Sequence, residues 1–217
     1  MIGSFMILGD SYSTHKDHIP EGNTHYYCTE GRSEEEPNTK MRPEETWWGR
    51  LIEKTDAKLI LNDSWSGSTI GYTGYSGDCS NTSSFICRYD KHLASGFFSG
   101  NSVDTIFVFG GTNDGWCNAP LGEEKYSDWK RDDLFSVLPA ICYLMSSLKK
   151  NHPDTRIVFI QNTSLKPEIT ECMKNASARL GVELVELDNI DKVESHPTVL
   201  GMGQICEQVL AKLEGTK

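Results

Sequence analysis

Four groups of small, polar residues follow apolar segments of the chain, and they contain the side chains that could do chemistry. The groups are Gly9-Asp10-Ser11, the run ending at Gly67, Gly111-Thr112-Asn113-Asp114 and His196-Pro197. A serine hydroxyl and an imidazole are the groups that nucleophilic catalysis uses. Each group alone also has an ordinary interpretation, because a serine after a strand often caps a helix and Asn-Asp is common in turns. Their order and their common position after strands favour a catalytic site.

Hydrophobic patterning predicts an α/β fold. Five almost continuously apolar segments predict strands covered on both faces. They are Ser4–Leu8, Ala57–Leu61, Thr105–Phe109, Arg156–Ile160 and Val182–Leu187. Helical spacing predicts helices over Glu44–Thr55, Asp132–Lys150, Lys166–Leu180 and Val199–Leu213, with Pro139 kinking the second or marking its true start. Strands that alternate with helices indicate a parallel sheet with helices on both faces.

This architecture is expected to bring the polar groups together. The carboxyl ends of parallel strands share one edge of an open sheet, and ligands bind there. The sequence contains no internal repeat and no linker, so residues 1–217 are expected to form a single domain. Residues 15–46 and 71–100 interrupt the alternation and are predicted to be loop excursions, either functional or disordered.

Composition and the chain ends limit the partners. The 217 residues include 31 acidic and 21 basic side chains, a net charge of −10, which disfavours nucleic acid and anionic membrane surfaces. No apolar stretch is long enough to span a bilayer, so no membrane insertion is expected. Residues 1–8 lack a basic region and run directly into Gly9. The chain is therefore expected to be cytoplasmic as given, or exported with its signal peptide already trimmed.

The four groups, in this order, resemble the sequence blocks of the SGNH hydrolases, also called the GDSL esterase/lipase family. The resemblance rests on GDS at residues 9–11, Gly67, GTND at residues 111–114 and HP at residues 196–197, so it extends over the whole chain. It implies a three-layer α/β/α sandwich around a flavodoxin-like, five-stranded parallel sheet. It also implies a serine esterase that needs no metal and no organic cofactor.

The resemblance assigns catalytic roles residue by residue. Ser11 would be the nucleophile, and His196 would be the base that accepts its proton. The backbone N–H groups of Ser11 and Gly67, together with the side-chain amide of Asn113, would form the oxyanion hole. These assignments imply an acyl-enzyme on Ser11.

The sequence departs from the family's pattern three residues before the histidine. The family usually has an aspartate there, which orients the imidazole, and this chain has Val193. Glu194 is our candidate for the third member of the triad, and Asp191 is the alternative. A backbone carbonyl could also serve, in a Ser–His dyad.

The supporting residues and the substrate are less constrained. Asp10 is expected to brace the turn and the active-site hydrogen bonds, whereas Asp114 and Trp116 are expected to shape the acyl or leaving-group pocket. We expect a carbohydrate O-acetylesterase or another short-chain acyl esterase. A lysophospholipase or thioesterase acting at the same site is the alternative.

Two other classes of protein remain open. A metal-dependent phosphoesterase could use Asp10, Asn113, Asp114 and the histidines as ligands. A carbohydrate-binding module without catalysis could stack sugar rings on aromatic side chains, among them Trp65, Tyr72, Tyr75 and Trp116. The expected partner in the leading hypothesis is a small-molecule or carbohydrate ester. The sequence leaves the oligomeric state open.

Overall fold

The structure is a computed structural model that describes residues 2–215. Its strands, in chain order, are β1 (Ser4–Gly9), β2 (Lys58–Ser64), β3 (Thr73–Gly74), β4 (Gly77–Asp78), β5 (Thr105–Phe109), β6 (Arg156–Gln161), β7 (Glu183–Glu186), β8 (Lys192–Val193) and β9 (His196–Pro197). Its α-helices are α1 (Trp47–Thr55), α2 (Phe85–Ala94), α3 (Phe97–Gly100), α4 (Thr112–Trp116), α5 (Val137–Asn151), α6 (Pro167–Leu180) and α7 (Val199–Gly215). Short 3₁₀ helices cover Ser11–Ser13, Lys16–His18, Pro37–Thr39, Pro43–Glu45 and Arg131–Phe135.

A five-stranded sheet in the order β2-β1-β5-β6-β7 forms the centre of the fold. Every neighbouring pair in it is parallel. Counted along the sheet strands alone, the order is 2-1-3-4-5, the flavodoxin-like arrangement, which confirms the predicted fold class. The connections leave β1 and β5 in opposite directions, and a ligand crevice is expected beyond the carboxyl ends of these two strands. Ser11 follows β1 and Asn113 follows β5.

Helices cover both faces of the sheet because successive side chains of each strand point to opposite faces. On β5, Ile106 and Val108 are buried in the same core as the apolar faces of α2, α5 and α6. Phe107 and Phe109 are buried in a second core with α1 and α7. Two cores separated by one sheet make the three-layer sandwich.

The predicted strands are all present, and β2 is longer than expected. It continues through Asn62, Asp63 and Ser64, which the sequence analysis placed after the strand. These polar side chains are buried, and they remain in the strand because each finds a partner. Asn62 Nδ2 donates to Ser13 O at 2.8 Å, and the Ser64 hydroxyl donates to Asn62 Oδ1 at 2.5 Å.

The helix bounds differ from the prediction mainly at the amino ends. The segment predicted as Asp132–Lys150 divides into a 3₁₀ helix and α5, and Pro139 lies in the first turn of α5. A proline is tolerated there because the N–H groups of a first turn have no acceptor within the helix. The segment predicted as Glu44–Thr55 likewise begins with a 3₁₀ turn before α1.

The two predicted excursions differ from each other. Residues 71–100 contain α2 and α3, which the sequence analysis did not predict. Ser84 caps α2 by accepting from the Cys87 amide at 3.1 Å, and Phe85, Ile86 and Tyr89 fill the core. Residues 15–46 contain only 3₁₀ turns and isolated bridges as regular structure.

Two further observations concern membrane-spanning helices and the cysteines. None of the helices between residues 2 and 215 has the length and apolar character that crossing a bilayer requires. All seven cysteines lie in this described part of the chain and are free thiols.

Candidate active site

The turn after β1 presents Ser11. Asp10 caps the 3₁₀ helix Ser11–Ser13, with its Oδ1 accepting from the Tyr12 amide at 3.1 Å. The turn is closely packed: a Cβ added at Gly9 would lie 2.5 Å from the Ser64 hydroxyl. Glycine at position 9 therefore lets the strand end pass next to β2.

Asp10, which the sequence analysis expected to brace this turn, is buried beneath it. Its second oxygen, Oδ2, has no hydrogen-bond partner among residues 2–215. Burial raises the pKa of Asp10 to about 7. The Asp10 carboxyl supports the turn that presents Ser11 and forms no hydrogen bond with the His196 imidazole, whose two nitrogens contact Glu194 O and Ser11 Oγ.

The hairpin of β8 and β9 carries His196 to the serine. His196 Nε2 lies 3.0 Å from Ser11 Oγ. The two residues of the hairpin turn, Glu194 and Ser195, have φ values of 48° and 66°. Positive φ at both central positions is the backbone of a type I′ turn, which matches the twist of a hairpin.

The excursion of residues 15–46 holds this hairpin in place. The ring of Tyr26 stacks on the imidazole, with centroids 3.7 Å apart and planes 6° from parallel. Tyr27 donates its hydroxyl to Pro197 O at 2.8 Å, and Asn38 Nδ2 donates to His196 O at 3.2 Å. This excursion therefore has a structural role at the site.

A backbone carbonyl, and not a carboxylate, contacts the second nitrogen of the imidazole. His196 Nδ1 lies 3.2 Å from Glu194 O. The Glu194 side chain is exposed, and the Asp191 carboxylate instead accepts from the Thr198 hydroxyl. Of the three sequence-based possibilities, the geometry therefore matches the Ser–His dyad with a carbonyl, and neither the Glu194 nor the Asp191 carboxylate occupies the predicted position.

This contact determines the tautomer of His196. A carbonyl oxygen can only accept, so Nδ1 must carry the proton and Nε2 has its lone pair free toward Ser11. Burial lowers the pKa of His196, and the positive charges of Lys192 and Arg32 lower it further against the opposing effect of the carbonyl. The lowered pKa favours the neutral imidazole, whose Nε2 lone pair is directed to Ser11 Oγ.

Three N–H groups are available near the serine. Within residues 2–215, neither the Ser11 amide nor the Gly67 amide donates to a protein acceptor. Gly67 has φ +80°, and a Cβ there would meet no atom within 4 Å. Glycine is therefore favoured at this position by the left-handed backbone conformation and not by lack of space. Asn113 Nδ2 donates to Ser68 O at 2.9 Å, and its Oδ1 accepts from the Tyr75 hydroxyl at 3.1 Å. These contacts orient the amide and leave its second N–H free.

Asp114 is buried and holds the loop that carries Gly67. The sequence analysis expected it to shape the acyl or leaving-group pocket, but its side chain is buried. Its carboxylate accepts from the Ile70 amide at 2.9 Å and from the Gly71 amide at 3.1 Å. Burial raises the pKa of Asp114 to about 6, although these amides oppose the shift.

Arg88 joins the strand ends beneath the site, and the sequence analysis did not find it. It forms a buried ion pair with Asp63, Nη1 to Oδ1, at 3.0 Å. Its Nη2 donates to Gly9 O at 3.0 Å and to the Ser68 hydroxyl at 3.2 Å. One guanidinium therefore contacts the ends of β1 and β2 and the loop after β2. No sequence signal pointed to it, since α2 was not predicted.

Trp116, which the sequence analysis expected to shape the acyl or leaving-group pocket, lies beside the imidazole. The residue is 45% exposed, and its ring centroid is 6.1 Å from that of His196. It borders a cavity of about 140 Å³ whose other lining residues are Tyr12, Thr112, Asn162, Thr163, Ser164, Lys192 and Ser195. A larger groove of about 630 Å³ lies between α6, β7 and α7, but no residue of the serine–histidine site lines it.

The remaining histidines do not form a metal centre. His15 is buried and its Nε2 contacts Met41 O at 3.0 Å, while its ring lies against that of His18. Within residues 2–215, no group of three or more His, Cys, Asp or Glu side chains is arranged to hold a metal ion.

Comparison with a family model decides what the chain is. The model described as GDSL-like Lipase/Acylhydrolase matches residues 3–213. The chain belongs to this family. The resemblance inferred from the sequence blocks is thereby confirmed, and the protein is a serine esterase of the SGNH/GDSL type.

Solved structures agree with membership of the GDSL-like family. A candidate GDSL-like lipase from Bacteroides uniformis is 40% identical, with 98% of this chain and 96% of that chain covered and a TM-score of 0.88. A second one, from Bacteroides ovatus, is 35% identical over 99% of both chains, with a TM-score of 0.89. An acetyl xylan esterase from Butyrivibrio proteoclasticus is 15% identical and shares the fold, with a TM-score of 0.63 over 99% of this chain and 64% of that one. No curated protein sequence matches the chain significantly.

Proposed function

We propose that the chain removes short acyl groups, O-acetyl groups of carbohydrates first among them, through an acyl-enzyme on Ser11. The observation that carries the proposal is the 3.0 Å contact between Ser11 Oγ and His196 Nε2, on an imidazole whose Nδ1 proton is directed to a carbonyl. This is the geometry that general-base activation of a serine requires.

In the first half-reaction, Ser11 Oγ attacks the ester carbonyl and its proton passes to His196 Nε2. The N–H groups of Ser11 and Gly67 and the free N–H of Asn113 stabilise the negative oxygen of the tetrahedral intermediate. When that intermediate collapses, the alcohol leaves with the proton from Nε2. Ser11 then carries the acyl group.

The second half-reaction repeats these steps with water. His196 Nε2 accepts a proton from water as the water attacks the acyl carbonyl, and the same donors stabilise the second oxyanion. The acid leaves and the proton returns to Ser11 Oγ. In both halves the imidazolium is stabilised by the Glu194 carbonyl, a dipole in the place where a carboxylate would supply a full charge.

The surroundings of the dyad support a small acyl group on a polar alcohol. Six of the eight residues that line the adjoining cavity of about 140 Å³ carry a hydroxyl or an amide side chain. Trp116 and Tyr75, 45% and 57% exposed, could stack on sugar rings beside the serine. The acetyl xylan esterase that shares the fold adds support for a carbohydrate ester.

A substrate series tests this proposal. We expect kcat/KM to be highest for p-nitrophenyl acetate and to fall for the butyrate and octanoate, and we expect acetate release from acetylated xylo-oligosaccharides. Rapid quenching should trap one acetyl group on Ser11, detected by peptide mass. A preference for octanoate would favour a lysophospholipase or thioesterase. Loss of activity with a chelator, together with phosphate-ester hydrolysis, would overturn the serine mechanism.

Asn113 provides a prediction about the oxyanion hole. Asn113→Ala is expected to lower kcat for p-nitrophenyl acetate about 10²–10³-fold, because one of three donors to the oxyanion is lost. Tyr75→Phe is the matched control, since it removes the hydroxyl that orients this amide and leaves the amide itself. We expect a smaller loss in the control. An Asn113→Ala enzyme with nearly wild-type kcat would exclude the amide from the oxyanion hole.

His196 provides a prediction about pH. With p-nitrophenyl acetate, kcat/KM is expected to rise with pH and to level off with an apparent pKa below 6.5, the ordinary value for histidine. The base must be neutral to accept the proton, and burial lowers the pKa of His196, so activity persists to lower pH than an exposed histidine would allow.

Asp10 could also contribute a titration to the pH dependence of kcat/KM, because its pKa is raised to about 7. The Asp10→Asn variant separates the two, since it leaves His196 in place and removes the second titration. If the acid limb lies near 7 in the wild type and disappears in the variant, the assignment to His196 is wrong. Intrinsic fluorescence over the same pH range checks that the protein stays folded.

A further inference from the structure

Lys192 is a cation in the cavity that adjoins the serine–histidine pair, and no acidic side chain of residues 2–215 forms an ion pair with it. It is half-buried and lines the cavity beside Trp116 and Tyr12. Its Nζ donates to Asn162 Oδ1 at 2.9 Å and to Thr163 Oγ1 at 2.6 Å, both neutral acceptors. An ammonium has three N–H donors, so one remains for a ligand.

Half-burying the Lys192 ammonium among neutral acceptors costs free energy when no anionic ligand is bound. Removing an ammonium from water is unfavourable unless a counter-charge compensates it. The chain has 31 acidic residues against 21 basic ones, yet the neighbours fixed to this ammonium are an amide and a hydroxyl. The ring of Tyr12, 5.3 Å from Nζ, supplies only a cation–π contact. Asp10 attracts it from a distance, but that carboxyl is itself buried beneath the nucleophile turn.

The position of Lys192 connects it to the reaction. It lies on β8, directly across the hairpin from the strand that carries His196, with Val193 paired to His196 and Lys192 paired to Pro197. The cavity that it lines is bordered by Tyr12, which follows Ser11, and by Trp116, whose ring faces the imidazole. A group bound at Nζ would therefore belong to the ester held at Ser11.

We propose that Lys192 selects esters that carry an anionic group, a carboxylate or a sulfate, next to the scissile bond. This inference rests on the proposed function and narrows its substrate class. The anion can belong to the acyl part, as in a half-ester of a dicarboxylic acid, or to the alcohol part, as in an acetylated uronic acid. The third N–H of Lys192 binds it in either case.

Two pairs of substrates test the proposal and separate these sources. The acyl pair is p-nitrophenyl butyrate and mono-p-nitrophenyl succinate. The alcohol pair is an O-acetylated methyl glucoside and the corresponding glucuronide. Each is assayed with wild type, with Lys192→Gln, which keeps a donor for Asn162 and Thr163 without the charge, and with Lys192→Arg, which keeps the charge. The quantity compared is the ratio of kcat/KM for the anionic to the neutral ester.

In one of the two pairs, Lys192→Gln is expected to lower this ratio about tenfold to a hundredfold, the effect of a charge-assisted hydrogen bond. Lys192→Arg is expected to retain most of the ratio. The pair that responds identifies the part of the substrate that carries the anion. A purely structural tie to Asn162 and Thr163 would change both members of a pair equally, and a constant ratio in both pairs would overturn the proposal.

Two observations distinguish failure of the Lys192 proposal from failure of the proposed function and from misfolding of the variant. If wild type hydrolyses none of the neutral esters, the proposed function fails, whatever Lys192 does. If Lys192→Gln does not fold, product inhibition of the wild type gives the same information: free succinate or glucuronate should inhibit p-nitrophenyl acetate hydrolysis more strongly than butyramide or methyl glucoside. Equal inhibition by charged and neutral compounds would contradict the assignment.

Discussion

Replacing Ser11 with alanine is expected to lower kcat/KM for p-nitrophenyl acetate by about 10⁴–10⁶-fold. The variant keeps the oxyanion donors and His196 but has no oxygen on which an acyl group can be carried. The fold should be retained, because the Ser11 hydroxyl contacts His196 Nε2, while the turn depends on backbone contacts and on Asp10. Steady-state kinetics give kcat/KM, and the circular dichroism spectrum of each variant checks that the fold is retained.

Ser13 provides the matched control two residues along the same turn. Its hydroxyl is buried like that of Ser11, but it accepts from Trp47 Nε1 at 3.0 Å. Ser13→Ala is therefore expected to cost stability and to leave acyl transfer in operation. Combining Ser11→Ala with His196→Ala should lower activity little beyond either single change, since the two groups act as a unit. Activity of Ser11→Ala within tenfold of wild type would rule out the acyl-enzyme.

Replacing Arg88 with methionine is expected to lower the free energy of unfolding by about 3–5 kcal/mol, because it leaves the buried carboxylate of Asp63 without its main counter-charge. Burial alone would raise the pKa of Asp63, but Arg88 and His92 outweigh it and hold that pKa below the ordinary 3.8. Urea unfolding at neutral pH gives the value. The contribution of the carboxylate is fully present above its ordinary pKa and is lost as the pH falls through the lowered one.

Arg88→Met should also lower activity in the folded fraction. The carbonyl of Gly9 and the hydroxyl of Ser68 both lose a donor, and these groups flank Ser11 and Gly67. A displacement of about 1 Å can cost about 10²-fold in rate. Arg88→Lys keeps the charge without the planar fork and should be intermediate in both respects.

The control for Arg88 is an ion pair on the surface. Lys54 pairs with Glu207 at 2.7 Å, with both side chains exposed, so Lys54→Met should leave the unfolding midpoint and kcat/KM unchanged. If Arg88→Met unfolds at the same urea concentration as wild type, the Arg88–Asp63 pair does not hold the strand ends. The loss of activity would then need another cause.

In this chain a backbone carbonyl contacts His196 Nδ1, where the family pattern would place an aspartate carboxylate. In this chain the residue where the family has its aspartate is Val193, and the orientation of the ring depends on the hairpin turn and on the stacked Tyr26. A carbonyl dipole stabilises the imidazolium less than a carboxylate would, because it carries only a partial charge. It can still fix the tautomer, because a carbonyl only accepts hydrogen bonds.

The parts of the site that could be predicted depend on residue type and order. The strands of the central sheet were recognised because burial on both faces makes them continuously apolar. Ser11 and His196 were identified as the candidate nucleophile and base because they lie in recognisable blocks. The sequence left three possible partners for Nδ1, two carboxylates and a backbone carbonyl. It could not select among them, because every residue has a carbonyl and only the turn at Glu194 and Ser195 directs this one to the ring. Arg88 was missed because nothing in its local sequence marks a contact with Gly9, 79 residues away.

By itself, the sequence determined the α/β class, the order along the chain of the five sheet strands and of helices α1, α5, α6 and α7, and the candidate chemistry of a serine, a histidine and amide donors. These follow from hydrophobic periodicity and residue type, which are local properties. The tertiary structure alone decided that Asp114 supports a loop, that a carbonyl orients His196, and that Lys192 faces the cavity beside Trp116. Each of these depends on the direction of a side chain or carbonyl relative to residues distant in the chain, and that direction exists only after the sheet and its loops have packed.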